Sequence, residues 1–213
     1  MVNSNKAYPA SLSIDYPNKL NRVSSFFRVL WSIPILILAS ILTSSGGSVS
    51  TNEAGQMVSS SGSGIAGALF AATLLMILFR QRYPRWWFDF NLELNRFTTR
   101  VCAYLFLLTD KYPSTEDTQA VHLNFEYPDV KTELNRWMPL VKWFLAIPHY
   151  FVLSVLALGA FFTTIFAWFS ILFTGTYPKS LFEYVVGVGR WGLRVVAYAF
   201  LLTTDKYPPF SLK

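Results

Sequence analysis

The chain is poor in the residues that most chemistry needs. It has one cysteine and two histidines in 213 residues. A lone Cys102 excludes an intrachain disulfide; set in an apolar stretch, it reads as a packing residue. His122 and His149 are far apart and lack metal-ligand spacing, so no metal site is expected. Glycine-rich phosphate loops, Walker sequences and a Gly-x-Ser-x-Gly nucleophile elbow are missing too. The composition therefore points away from an enzyme and from a bound cofactor.

Charge is also scarce. Charged residues make up 14% of the chain, against about a quarter in soluble domains. Hydrophobic residues make up 53% and the mean hydropathy is +0.35, which places the chain in a membrane. The first 25 or so residues are polar, so no cleavable signal is expected and the first apolar run would serve as the insertion signal. The net charge of +6 suits anionic phospholipids as partners, and nucleic acid is not expected as one.

What is present is repetition. Ala103–Pro113 reads AYLFLLTDKYP and Ala197–Pro208 reads AYAFLLTTDKYP. Leu20-Asn21-Arg22 is echoed by Leu134-Asn135-Arg136, Ile33-Pro34 by Ile147-Pro148, and Tyr83-Pro84 by Tyr177-Pro178. A tandem duplication follows, and each half must be read with the other. The boundaries are a polar N-terminal segment with a short strand (1–25), a first repeat (26–113), a linker with a strand (114–139) and a second repeat (140–213).

Each repeat begins with apolar sequence. Phe26–Thr43 and Ile65–Phe79 flank a Ser/Gly-rich loop, Ser44–Gly64, whose only charge is Glu53. Leu140–Thr174 is apolar almost throughout. One helix of that length would rise about 50 Å, against a hydrocarbon core of about 30 Å. The second run is therefore expected to fold as a hairpin turning near Leu158-Gly159-Ala160, with kinks at Pro34 and Pro148. The third segment of each repeat, Arg85–Leu108 or Lys179–Thr203, carries a polar stripe at helical spacing. The stripe is Asp89, Glu93, Arg96, Arg100 and Tyr104 in the first repeat, and Glu183, Gly187, Arg190, Arg194 and Tyr198 in the second. Phe88–Asn95 alternates like a strand, but its counterpart does not, so helix is the reading. Alternation ahead of each hairpin, at Ser11–Tyr16 and Val121–Tyr127, marks two strands that pair antiparallel.

With both hairpin tips outside, every Lys and Arg falls on the inner side or close to it. The third segments then lie in the plane of the interface, since a spanning Arg96 and Arg100 would cost several kcal/mol. The expected fold is an all-α integral membrane protein of two parallel repeats. Each is a short transmembrane hairpin plus an interfacial amphipathic helix, with short cytoplasmic strands and both termini cytoplasmic.

Tyr177-Pro178…Leu181-Phe182-Glu183-Tyr184…Arg190-Trp191…Leu193-Arg194…Ala197-Tyr198…Leu201-Leu202-Thr203…Asp205…Tyr207-Pro208-Pro209-Phe210 resembles a bacterial membrane-protein family, a domain of unknown function (DUF4389). The resemblance covers most of the chain, once per half, and implies a multi-pass protein of the bacterial inner membrane. It carries over no reaction, substrate or catalytic residue.

The candidate site is the charged stripe. Arg96, Arg100, Arg190 and Arg194 would hold lipid phosphate or a partner. Asp89, Glu93 and Glu183 would pair with them, Glu93 with Arg96 one turn away and Glu183 across to the other copy or to a partner. The competing reading is a polar helix face with snorkelling arginines. Asp110 and Asp205 read as parts of helix stops, and His149, opposite Ile35 in the first copy, as a structural histidine. The function expected is a non-enzymatic scaffold or accessory subunit, oligomeric or part of a larger membrane complex. Lipid or small-solute binding is the alternative.

Overall fold

The computed structural model describes residues 8–43, 47–51, 57–61, 65–114 and 119–213. Glu53 and the tip of the Ser/Gly-rich loop lie outside the described residues. In chain order the elements are β1 (Ala10–Ile14), α1 (Arg22–Phe26), α2 (Arg28–Thr43), β2 (Gly47–Thr51), β3 (Met57–Ser61), α3 (Ile65–Leu75, closed by a π-helical turn at Met76–Arg80), α4 (Arg85–Leu105), β4 (Val121–Phe125), α5 (Pro139–Leu145), α6 (Ile147–Thr174) and α7 (Lys179–Ala199).

The two alternating stretches pair as expected. β1 and β4 form an antiparallel ribbon centred on Leu12 opposite Leu123. Ala10, Leu12, Val121, Leu123 and Phe125 point inward and are buried, while Ser11, Ser13, His122 and Asn124 face out and are exposed. A two-stranded ribbon is marginal alone; this one rests on helices. β2 and β3 make a second ribbon.

The polar-striped segments are helices, α4 and α7, and they form the middle layer. Their order along the ribbon can be followed contact by contact. Tyr8 Oη donates to the Arg194 carbonyl at 3.3 Å, Arg190 Nε to the Leu12 carbonyl at 3.1 Å, and the Tyr16 ring meets Phe182 edge-on at 5.1 Å. β1 thus runs antiparallel to α7. On another face, α7 runs antiparallel to the first half of α6. Trp191 Nε1 donates to His149 Nδ1 at 3.1 Å, and Tyr184 Oη to the Leu156 carbonyl at 3.1 Å. α4 stands likewise between β4, through Arg96 Nε on the Leu123 carbonyl at 3.0 Å, and α2, through Ile35, Phe97, Val101 and Leu105.

The apolar helices form the third layer, and one expectation fails here. The second apolar run makes no hairpin. α6 continues unbroken through Leu158-Gly159-Ala160 for 28 residues, long and apolar enough to cross a membrane by length and composition. The helix break comes earlier, at Ala146, and Pro148 sits in the first turn of α6, where its missing N–H leaves no bond unmade. Gly159 is not a turn. It admits Tyr184, whose hydroxyl would lie 2.6 Å from a Cβ placed there. Pro34 lies inside α2, which also continues through it. Cys102 corrects a second expectation, for it lies on the exposed face of α4.

Candidate functional site

Two buried ion pairs tie the apolar layer to the ends of the middle helices, and the two are built alike. In the first half, Arg28 opens α2 and is almost wholly buried. Its Nη1 donates to the carbonyls of Tyr104 (3.1 Å) and Thr109 (2.6 Å), its Nη2 to Asp110 Oδ1 at 2.5 Å, and its guanidinium lies 4.2 Å from the Tyr104 ring centroid. In the second half, Lys142 on α5 is fully buried. Its Nζ donates to the Thr204 carbonyl at 2.8 Å, meets Asp205 Oδ1 at 2.6 Å and lies 5.4 Å from the Tyr198 ring.

The carboxylates are held by matching turns. Leu107 and Leu202 have φ of 62° and 57°, a left-handed backbone that leucine seldom adopts. The turn after each brings Asp110 Oδ2 to the Asn21 N–H at 2.6 Å, and Asp205 Oδ2 to the Asn135 N–H at 2.6 Å. The side chains of Asn21 and Asn135 accept in turn from the N–H groups of Val23 and Trp137. The Thr-Asp-Lys-Tyr-Pro segments are therefore anchors as well as helix stops. The lone cations Arg28 and Lys142, each near the start of an apolar run, were the signal for this pairing. It requires the tertiary contact to be known.

A second set of contacts crosses between the halves. Tyr16, after β1, donates its hydroxyl to the Tyr177 carbonyl, and Tyr127, after β4, donates to the Tyr83 carbonyl. Each strand thus docks on the Tyr-Pro and middle helix of the other half. The hydroxyls of Tyr83 and Tyr177 are themselves buried beside Thr73 and Thr164. Burial raises both, that of Tyr177 to about 12; neither ionises near neutral pH.

The four stripe arginines lie at this same junction. Arg96 bonds the Leu123 carbonyl and Glu93 Oε1 (2.5 Å), and Arg100 bonds the Ser114 carbonyl at 2.6 Å. Arg190 bonds the carbonyls of Leu12 and Leu212, and Arg194 those of Ser211 and Lys213. All four are partly buried, and burial together with the Arg190 charge lowers the Arg194 pKa. Their donors serve backbone carbonyls of this chain and, for Arg96, also Glu93. Glu183 lies near Lys179 of its own helix (3.9 Å); Asp89 is exposed. Gly187 belongs to the same junction: a Cβ there would meet the Leu212 carbonyl at 2.9 Å, so the glycine seats the C-terminal tail.

His149 is buried among Trp191, Tyr207 and Phe210, stacked on Phe210 at 4.0 Å. Accepting from Trp191 through Nδ1 fixes the neutral ring's proton on Nε2. Among the described residues no group of three or more His, Cys, Asp or Glu is placed to hold a metal.

The outer face of the third layer is apolar. Val29, Leu30, Trp31 and Ile33 of α2 are exposed, as are Trp143 and Phe144 of α5. On α6 the exposed residues form a stripe along its length: Phe151, Val155, Leu158, Phe162, Phe166, Phe169 and Phe173, several above two-thirds exposed. Soluble monomers seldom expose contiguous apolar patches beyond a few hundred Å². A cleft of about 580 Å³ opens near the end of α3, lined by Arg80, Arg82, Arg85 and Lys131 with Asp129 and Tyr127. The Arg85 guanidinium lies 5.2 Å from the Tyr127 ring centroid.

Residues 136–211 match the family model of a domain of unknown function, DUF4389. The matched segment contains α5, α6, α7 and the Lys142–Asp205 pair. No curated protein and no solved structure matches the chain.

Proposed function

We propose that the chain is a non-enzymatic integral membrane scaffold or accessory subunit of the bacterial inner membrane. In this reading it is a tandem pair of one unit whose halves exchange their N-terminal strands. The observation that carries it is the exposed apolar face of α2, α5 and α6, opposite a ribbon whose outer face is polar. The paired contacts support the duplication: Arg28–Asp110 with Lys142–Asp205, and Tyr16 on Tyr177 with Tyr127 on Tyr83. Strand exchange makes the halves mutually dependent, which suits a rigid platform better than a moving carrier. Apolar helices inserted beneath a broad polar layer widen the leaflet that holds them, and that favours curvature and lateral assembly. Reconstituted at high protein-to-lipid ratio, the protein should form oligomers by crosslinking and draw vesicles into tubules or small, strongly curved particles. Spherical vesicles with a strictly monomeric protein would count against the scaffold.

A second reading has one observation in its favour, the cationic cleft at Arg80, Arg82, Arg85 and Lys131. Its position near the end of an apolar helix suits an anionic phospholipid headgroup. Arg82→Glu with Arg85→Glu should then lower co-purified anionic lipid in native mass spectra several-fold. Retention at the unsubstituted level would remove this reading.

A further inference from the structure

We infer that α6 does not cross the bilayer but lies in the plane of one leaflet, its phenylalanine stripe facing the acyl chains and the β1–β4 ribbon facing water. This rests on the membrane reading above and concerns how the protein sits in the lipid.

The ribbon supplies the first argument. β1 is antiparallel to α7, and α7 is antiparallel to the first half of α6. The ribbon therefore lies lengthwise along the first half of α6. The chain entering β1 lies near the start of α6: Tyr8 Oη donates to the Lys206 carbonyl, and Asp205 next to it holds Lys142 of α5, just ahead of α6. The chain leaving β1 continues to the finish of α6: Tyr16 bonds the Tyr177 carbonyl, and the Leu20 N–H donates to the Gly175 carbonyl at 2.9 Å. An upright α6 would carry the ribbon alongside it through the hydrocarbon. Its exposed Ser11, Ser13, His122 and Asn124 would then face lipid, where polar and ionisable side chains are costly.

The cations supply the second argument. Exposed Arg22 lies beside Gly175 at the finish of α6, with exposed Lys19 and Lys179 close to these two in sequence, whereas exposed Lys206 follows Asp205, which holds Lys142 just ahead of the start of α6, and exposed Arg136 precedes α5 at that end. Arg136 Nε on the Leu78 carbonyl at 2.6 Å joins α3 to that second group. An upright helix would put one cluster on each side of the membrane and abolish the positive-inside asymmetry. A flat one puts both among the headgroups of one leaflet. Length agrees: 28 residues rise about 42 Å, so an upright α6 would have to tilt steeply to fit a core of about 30 Å.

The test is the depth of four spin labels on the stripe. Phe151→Cys, Leu158→Cys, Phe166→Cys and Phe173→Cys, each in a Cys102→Ser background, are labelled in vesicles of phosphatidylglycerol and phosphatidylcholine. Oxygen and nickel-chelate accessibility should place all four within about 5 Å of one depth, roughly one helical turn. A profile with Leu158 near the bilayer centre and Phe151 and Phe173 toward opposite headgroups, about 33 Å apart along the axis, would overturn the inference and leave the membrane reading standing. Protein that fails to float with the vesicles, its labels in water or broadened against a second copy, would overturn both. Oriented circular dichroism of the unsubstituted protein reads the helix orientation without any substitution, and a transmembrane signal there would also refute it.

Discussion

Asp205→Asn should destabilise the protein by about 3–5 kcal/mol, because it leaves the buried Lys142 ammonium without its counter-charge. Lys142 is 0% exposed and Asp205 21%, so water does not reach the cation to replace the lost partner. The Thr204 carbonyl remains as an acceptor and does not neutralise charge. The double variant Lys142→Met with Asp205→Asn should recover most of the loss, since replacing a buried pair by apolar side chains is often neutral or better. Asp110→Asn should cost less. Asp110 is 28% exposed, and Arg28 keeps two carbonyls and the Tyr104 ring face. Denaturant unfolding in detergent measures all three. A single Asp205→Asn variant within about 1 kcal/mol of the parent, or a double variant as unstable as the single, would contradict the clamp.

The second large effect tests the exchange of strands. Leu12→Ala removes a buried side chain from β1, and Leu123→Ala removes its partner from β4. Each should cost about 2–5 kcal/mol. The location of the loss is the sharper readout. Leu12 lies against Gly189 and its carbonyl takes Arg190, so Leu12→Ala should raise hydrogen exchange in the middle of α7, in the other half of the chain. Leu123→Ala should loosen α4 around Arg96 and spare α7. Local openings of this kind are visible to native-state exchange. A Leu12→Ala variant that loosens α4 while α7 stays protected would show that the strands belong to their own halves.

The two ribbon strands were legible because alternation is a local signal, and the amphipathic helices because charged residues recur every three or four positions. The Glu93–Arg96 pair was legible for the same reason. The course of α6 was not. Leu158-Gly159-Ala160 carries no proline or polar turn residue, and the hairpin was argued from bilayer thickness, which assumes that the helix stands upright. The other partners of the stripe arginines were not legible either. Their acceptors are backbone carbonyls of Leu12, Ser114, Leu123, Ser211, Leu212 and Lys213, which no side-chain pattern marks. Arg28 and Lys142 were visible as lone cations near the start of apolar runs, and Asp110 and Asp205 as helix stops. Each pair meets only when α2 or α5 folds back on the end of a middle helix.

The account stands or falls on the apolar face being covered by lipid. Alkaline carbonate extraction of cell membranes containing the protein tests this directly. The protein should stay in the membrane pellet at high pH and high salt and be released only by detergent, in company with known integral proteins. Release into the carbonate supernatant, as for a peripherally bound protein, would contradict it.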